Sequence, residues 1–356
     1  MTESFTDLGL RPEILRALDE QGYAEPTLVQ VATIPPMLQG RDVIVQAQTG
    51  TGKTAAFALP ILNNLNSSSG QVQALVVTPT RELALQVAQA AYHYGAFSQA
   101  SVLAVYGGQP YGRQIGRLKR GVDLVVGTPG RLLDLLKKNV LDLSQVQTVI
   151  LDEADEMLSM GFIEDIEALL EATPAARQTG LFSATLPDPI RRLAARYMTD
   201  PHTVTIQPEQ RTVSSIDQRY YLVNEADKLA ALTRLFEIEE PTSTLIFVRT
   251  RIETGDLANE LTLRGFPAEA MSGELSQDER ERVMSRFRDH RIAVLVATDV
   301  AARGLDIDDI SHVINIGMPD DPEVYVHRIG RTGRIGKTGT AISLVATAER
   351  RRLHNI

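Results

Sequence analysis

Short runs of Val, Ile and Leu recur along this 356-residue chain, each followed by a stretch with helical spacing, and that alternation limits the fold more than any other feature. In the first half the runs are residues 43–45, 74–78, 102–106, 124–127, 149–151 and 181–183. Runs apolar throughout, without polar alternation, read as strands buried on both faces. Amphipathic segments at 81–91 and 130–136 lie between them, which makes the repeat βαβ and the sheet mostly parallel. A parallel sheet covered on both sides leaves its carboxyl edge as the place where ligands bind. Chemistry should therefore be sought in the residues just past each run.

The rhythm stops at residues 207–215, QPEQRTVSS, which carry neither apolar period, and then resumes at 219–223, 244–248, 293–297, 312–316 and 341–345. This predicts an α/β fold of two tandem domains, each a mostly parallel sheet flanked by helices, at 1–206 and 216–356 with a linker at 207–215. The length agrees, since one core rarely organises so many residues. The final Arg350, Arg351 and Arg352 read as the start of a helix, so a C-terminal extension absent from this chain is expected.

Apolar residues make up 43% and charged residues 23%, an ordinary globular mixture. No stretch reaches the ~18 apolar residues of a spanning helix and the first residues are polar, so a cytoplasmic protein with no membrane partner is expected. Cys is absent, which excludes disulfides, thiolate metal sites and thiol catalysis; His residues are scattered, so zinc is not expected. The core is expected to be monomeric. Net charge is -9, with 16 basic against 21 acidic residues through Ile206 and 20 against 24 after it. A nucleic-acid partner would have to be held by local groups rather than by net charge.

The strongest chemical signal is Ala47-Gln48-Thr49-Gly50-Thr51-Gly52-Lys53-Thr54, placed between a Val/Ile strand and an apolar helix. Glycines there let backbone N–H groups face phosphate at a helix N-terminus, Lys53 reaches the β and γ phosphates, and the Thr54 hydroxyl can ligate Mg²⁺. Ala47 stands where the general pattern has Gly. Another strand, 148–151, ends in Asp152-Glu153-Ala154-Asp155, putting paired carboxylates at the same edge. Asp152 is suited to hold Mg²⁺, largely through water, and Glu153 to orient and deprotonate the attacking water. ATP and Mg²⁺ are thus the expected substrate and cofactor.

With these motifs in place the sequence resembles the DEAD-box RNA helicases of bacterial type over nearly its whole length. The resemblance implies tandem RecA-like domains and ATP hydrolysis coupled to local unwinding of RNA. It implies that Phe5, Tyr23 and Gln30 recognise adenine, with Tyr23 stacking on the base; Thr27-x-x-Gln30 also reads as a helix capping box, and both roles stay open. Ser183-Ala184-Thr185 is similar to the coupling motif whose hydroxyls bond to Asp155. RNA contacts are implied for Pro79, Thr80 and Arg81, for Gly107 and Gly108, and for Thr128, Pro129, Gly130 and Arg131. In the second half they are implied for Arg249, Thr250, Gly273, Thr298, Arg303 and Gly304. Ser272-Gly273 stands where the family usually has His-Gly, so only a backbone contact carries over there.

Arg280 belongs, by the same resemblance, to a motif near the interdomain site. Asp306 would contact the ribose, while Arg331 and Arg334 resemble arginine fingers that complete the ATP site, worth ~10³- to 10⁵-fold in rate. His327 would join the γ-phosphate network. Two other functions stay open: an ATP-gated RNA clamp or remodelling scaffold, which uses the same residues, and a DNA translocase, which shares the two-domain motor but not this motif set. The first differs in giving turnover without strand displacement, the second in accepting DNA as readily as RNA.

Overall fold

The structure, a computed structural model, describes residues 4–48, 50–67, 69–206, 216–273, 275–302, 310–333 and 338–356. The chain divides into two compact units, Met1–Pro208 and Glu209–Ile356. The linker expected at 207–215 lies outside the described residues, as do Thr49, Arg303, Gly304, Asp306 and Arg334.

The first unit holds seven parallel strands: β1 Val43–Gln46, β2 Ala74–Val77, β3 Val102–Val105, β4 Leu124–Gly127, β5 Thr148–Asp152, β6 Gln178–Ser183 and β7 His202–Thr205, in the order β3-β4-β2-β5-β6-β1-β7. Successive side chains of a strand point to opposite faces, so each strand feeds two cores. Val76, Val126, Ile150 and Phe182 join one cluster, while Leu75, Val125, Val149 and Leu181 join the other. Burying each such side chain is worth roughly 1.5–3 kcal/mol. The interior strands β2 and β4 are buried along their whole length, as their unbroken apolar sequence required.

The second unit holds six parallel strands: β8 Ile216–Leu222, β9 Thr244–Phe247, β10 Ala268–Met271, β11 Val294–Ala297, β12 His312–Ile316 and β13 Gly339–Val345, in the order β10-β11-β9-β12-β13-β8. Strands β7 and β10 had no counterpart among the apolar runs. Both lie at sheet edges, half covered, and their sequences HTVT and AEAM mix polar residues in, so neither shows a continuous apolar run. Helix Arg350–Asn355 occupies the basic end read as a helix start. No helix among the described residues is long and apolar enough to cross a membrane.

Candidate functional site

The loop after β1 is held from behind by the segment that opens helix Leu28–Leu38. Thr27 Oγ1 donates to the Thr51 carbonyl at 2.8 Å, and Gln30 Nε2 donates to the Gly52 carbonyl at 3.2 Å. The same two residues form a capping box, Gln30 Oε1 accepting from the Thr27 N–H at 2.9 Å and Thr27 Oγ1 from the Gln30 N–H at 3.5 Å. Capping therefore uses one side of the Gln30 amide and loop anchorage the other. Gly52 has φ +92°, and a Cβ there would sit 2.5 Å from Gln30 Nε2 and 3.0 Å from Thr27 Oγ1, so only glycine fits the turn. Lys53 opens helix Lys53–Asn64, and its buried ammonium donates to the Ala47 carbonyl at 2.9 Å across the loop.

Strand β5 delivers Asp152 to the same edge, 3% exposed. Burial raises its pKa to about 7 against the pull of the Lys53 ammonium, and the nearby Glu153 charge adds to the rise. A buried carboxyl of this kind is one that a bound cation would ionise. Asp152 and the Thr54 hydroxyl are the hard-oxygen groups that would hold Mg²⁺, an ion that keeps much of its hydration shell. No group of three or more His, Cys, Asp or Glu residues able to hold a metal ion occurs among the described residues. Glu153 adopts φ 52°, ψ 54° with no cap bond from its side chain, a left-handed conformation that costs about 1–3 kcal/mol in a residue other than glycine.

Asp155 joins this strand to the next. Its Oδ2 accepts from the Thr185 N–H at 2.8 Å and from Thr185 Oγ1 at 2.9 Å, and its own N–H donates to Ser183 Oγ at 3.1 Å. Both hydroxyls thus reach Asp155 as expected, Thr185 at the carboxylate and Ser183 at the backbone. The Ala47 N–H donates to the Ser183 carbonyl at 3.0 Å, so β6 is also bonded to the phosphate loop.

The aromatic residues form a cluster: Phe5 lies edge-on to Tyr23 with centroids 6.5 Å apart, and Tyr23 edge-on to Tyr94 at 5.8 Å with their hydroxyls 3.0 Å apart. Burial and the Tyr23 hydrogen bond raise the Tyr94 pKa, keeping that phenol neutral. Phe5 is 4% exposed and Tyr23 40%, so Tyr23 is the ring with a face to offer.

On the other half of the edge, past β2, β3 and β4, the loops expected to meet RNA converge. Thr80 caps helix Arg81–Tyr94 through the Leu83 N–H at 3.2 Å. Arg81 reaches back over Gly107 and Gly108: a Cβ on Gly108, which has φ +90°, would lie 2.5 Å from Arg81 Nη1. Pro129 opens helix Pro129–Lys137 after Thr128, and Arg131 in its first turn donates to Gln114 Oε1 at 2.9 Å and to the Gln109 carbonyl at 3.1 Å. Gln114, 1% exposed, also donates to the Tyr106 carbonyl at 3.0 Å, making it the internal strut of this corner.

In the second unit Gly273, Thr298 and the pair Arg249–Thr250 follow the adjacent strands β10, β11 and β9. Thr250 caps helix Arg251–Leu263 in a capping box with Glu253. The Arg249 guanidinium is paired with Glu349, a buried carboxylate that also takes Lys228 Nζ at 3.0 Å and the Ala346 N–H at 2.9 Å. Arg280 donates to the Ala301 carbonyl at 3.3 Å. Helix Pro322–Ile329 carries His327, exposed in its last turn, and leads to Arg331, which is half-buried. Thr332 then bridges to Ile310, two residues before β12, so Arg331 lies toward the amino edge of its sheet.

Residues 27–193 match the family profile described as DEAD/DEAH box helicase, and residues 227–336 that described as Helicase conserved C-terminal domain. The DEAD-box ATP-dependent RNA helicase CshA of Geobacillus kaustophilus is 52% identical over 353 residues, 99% of this chain and 76% of that protein. This chain belongs to the DEAD-box RNA helicase family. The CshA of Bacillus subtilis is 49% identical over 356 residues, 100% of this chain and 72% of that protein. Among solved structures, S. cerevisiae Dbp5 bound to RNA and ADP BeF3 has 34% identity and a TM-score of 0.89, covering 99% of this chain and 92% of that one. A DEAD box protein from Methanococcus jannaschii has 41% identity and a TM-score of 0.57, covering 99% and 95%.

One residue of this DEAD-box chain had no role among the expected site residues. Arg328, 5% exposed, forks onto Asp299 at 2.6 and 2.8 Å, donates to Asn315 Oδ1 at 3.0 Å, and lies 5.0 Å from the centre of the Phe247 ring. Asp299 follows Thr298 and Arg328 precedes Arg331 by three residues, so the pair ties the loop after β11 to the segment that carries Arg331. Its signal was present in the arginine-rich stretch 327–334, but an anchor and a finger are the same residue type there.

Proposed function

We propose that this chain hydrolyses ATP to ADP and phosphate when RNA binds, and uses the cycle to separate or remodel short RNA duplexes in the cytoplasm as a monomeric core. The observation carrying the proposal is how the carboxyl edge of the first sheet is shared. Strands β1, β6 and β5 present the phosphate loop and carboxylates, β2, β4 and β3 present Arg81, Gly107–Gly108 and Arg131, and Asp155 with Thr185 sits on the nucleotide side next to β2.

In this reading the loop amides and Lys53 bind the β and γ phosphates, Lys53 leaving the Ala47 carbonyl for them. Tyr23 stacks on adenine and Gln30 reads its edge, while its present bond to Gly52 links base recognition to loop shape. Thr54 and Asp152 hold Mg²⁺, which supplies charge neutralisation on the phosphates. Glu153 orients and deprotonates water for in-line attack on the γ phosphorus, and Arg331 and Arg334 of the second unit neutralise charge as the bond to the β–γ oxygen breaks. Asp306 takes the ribose, and His327 joins the phosphate network.

RNA is held mainly by its backbone, which gives little sequence preference. Nucleotide and RNA each favour the closed pairing of the two units, so each raises the affinity for the other by the same factor. Closure bends one strand and expels its duplex partner, and hydrolysis releases the clamp. The deciding experiment measures steady-state ATPase without nucleic acid, with RNA and with DNA, beside displacement of a short RNA duplex. Stimulation by RNA with ATP-dependent displacement is the expected result. Turnover without displacement would replace unwinding by an ATP-gated clamp, and equal stimulation by DNA would replace RNA selectivity by a DNA translocase.

A further inference from the structure

Helix Tyr111–Leu118 follows the Gly107–Gly108 loop and packs against edge strand β3, with Ile115 and Leu118 on one face of the sheet. No acidic residue occurs between Glu82 and Asp123, yet Arg113, Arg117, Lys119 and Arg120 fall within eight residues of one another. All four are exposed, and none has an ion-pair partner among the described residues. Asp123, the next acid along the chain, is 3% exposed and bonded to the Ser101 N–H at 2.8 Å, so it does not screen them. In a chain of net charge -9 this is a pronounced local reversal of sign.

The helix is built against its own stability. Arg113 lies in the first turn, where the helix dipole favours an acid and none is present. Arg117 follows at i+4, the spacing at which like charges repel. A cation near the C-terminus is explained by the dipole; one in the first turn is not. Gly112 and Gly116, also four apart, sit exposed beside these arginines with nothing within 4 Å of an added Cβ. Glycine is the poorest helix former after proline, and here neither a positive φ nor a crowded neighbour requires it. Meanwhile Gln114, Ile115 and Leu118 face inward. Rules of local stability broken together on one exposed face mark a functional surface.

We propose that this face is a second RNA contact surface, on which the sugar–phosphate backbone of a strand continuing past Gly107–Gly108 lies against the glycines and is gripped by Arg113, Arg117 and Arg120. Continuity favours RNA over an acidic protein segment. Tyr111, 40% exposed at the head of the helix, packs under Arg131 with the guanidinium 4.1 Å from its ring, so the surface begins where the motif loops end. Bare backbone beside guanidinium groups suits phosphate and sugar contacts that do not read sequence. The inference rests on the RNA reading above and adds to it a footprint longer than the motif loops.

The test uses the full chain and its triple variant Arg113→Gln/Arg117→Gln/Arg120→Gln. Binding is measured against salt with oligouridylates of about 6 and about 20 nucleotides, one confined to the motif loops and one long enough to run beyond them. For the long RNA the variant should bind at least tenfold more weakly, with a salt slope reduced by about 2, three lost phosphate contacts at ~0.7 each. Binding of the short RNA and maximal RNA-stimulated ATPase should be unchanged. Gly116→Leu, which has room in the fold, should weaken only the long RNA.

An unchanged affinity and salt slope for the long RNA would overturn the inference and leave the face to an acidic protein partner. Equal loss for short and long RNA would overturn it too, by placing the arginines inside the motif groove. If RNA fails to stimulate the wild-type ATPase, the parent reading fails instead, and the two failures are told apart before any variant is made.

Discussion

Gly52→Ala tests whether Gln30 and the phosphate loop act as one device. The new Cβ would sit 2.5 Å from Gln30 Nε2 at a backbone φ of +92°. Holding a residue other than glycine there costs about 1–3 kcal/mol. Relief of the clash requires the Gln30 amide to swing off the Gly52 carbonyl, losing its 3.2 Å bond, worth about 1 kcal/mol. Together these disfavour the observed loop by roughly 2–4 kcal/mol, and since each 1.4 kcal/mol is tenfold, nucleotide affinity should fall roughly 30- to several-hundred-fold. Titration with a fluorescent ADP analogue reads the loss without depending on hydrolysis. The sharper test is the double variant: Gln30→Ala removes the clashing amide, so Gln30→Ala/Gly52→Ala should lose less than the sum of the single losses, by about 1 kcal/mol or more. Strict additivity, or an affinity for Gly52→Ala within threefold of wild type, would refute the argument that Gln30 shapes the loop.

Glu153→Gln should retain ATP and RNA binding while turnover falls by roughly 10²- to 10⁴-fold, read by single-turnover hydrolysis; unchanged turnover would remove it as the base. Arg331→Ala should lower RNA-stimulated turnover by roughly 10³-fold with thermal unfolding unchanged, checked by ATPase assay beside calorimetry. Thr185→Val keeps the backbone bond to Asp155 but loses the 2.9 Å hydroxyl bond, so ATPase should change only a few-fold while duplex displacement fails. Arg328→Met removes a buried fork whose partner Asp299 is 31% exposed, which trims the usual 3–5 kcal/mol to about 2–4 kcal/mol of stability in denaturant unfolding. Arg328→Lys should recover little of it, because an ammonium cannot bond both carboxylate oxygens in parallel.

Much of the interior of both sheets was legible in the sequence because a strand covered on two faces is mostly apolar, as β2, β4, β9 and β11 are. Edge strands escape that requirement, which is why β7 and β10 went unread. The first three residues of β6, Gln178, Thr179 and Gly180, were missed because a polar and glycine start obscures a buried strand. Motifs local in sequence were legible for the same reason: the phosphate loop needs its glycines and lysine in a fixed order. What could not be read was partnership at a distance. Thr27 holds Thr51 from 24 residues away, and Arg249 meets Glu349 from 100 away, so an arginine expected to face RNA is paired within its own unit.

The two sheets solve the same problem differently. In the first, the residues proposed to bind nucleotide and RNA share one edge, and coupling would pass sideways between neighbouring strands through the Asp155–Thr185 bonds. The second has no Gly-Lys-Thr loop in its sequence, and the residues proposed to meet RNA follow β10, β11 and β9 while Arg331 lies toward the opposite edge. Coupling there has to run along the sheet, and strands do not transmit sideways bonds in that direction. Helix Pro322–Ile329 does run that way, and Arg328 pins it to Asp299 beside Thr298. A bidentate guanidinium fixes both angle and distance where a single charge would fix only distance. Arg328, 5% exposed, is thus the arginine that would make the position of the Thr298 loop and that of the segment bearing Arg331 a single variable.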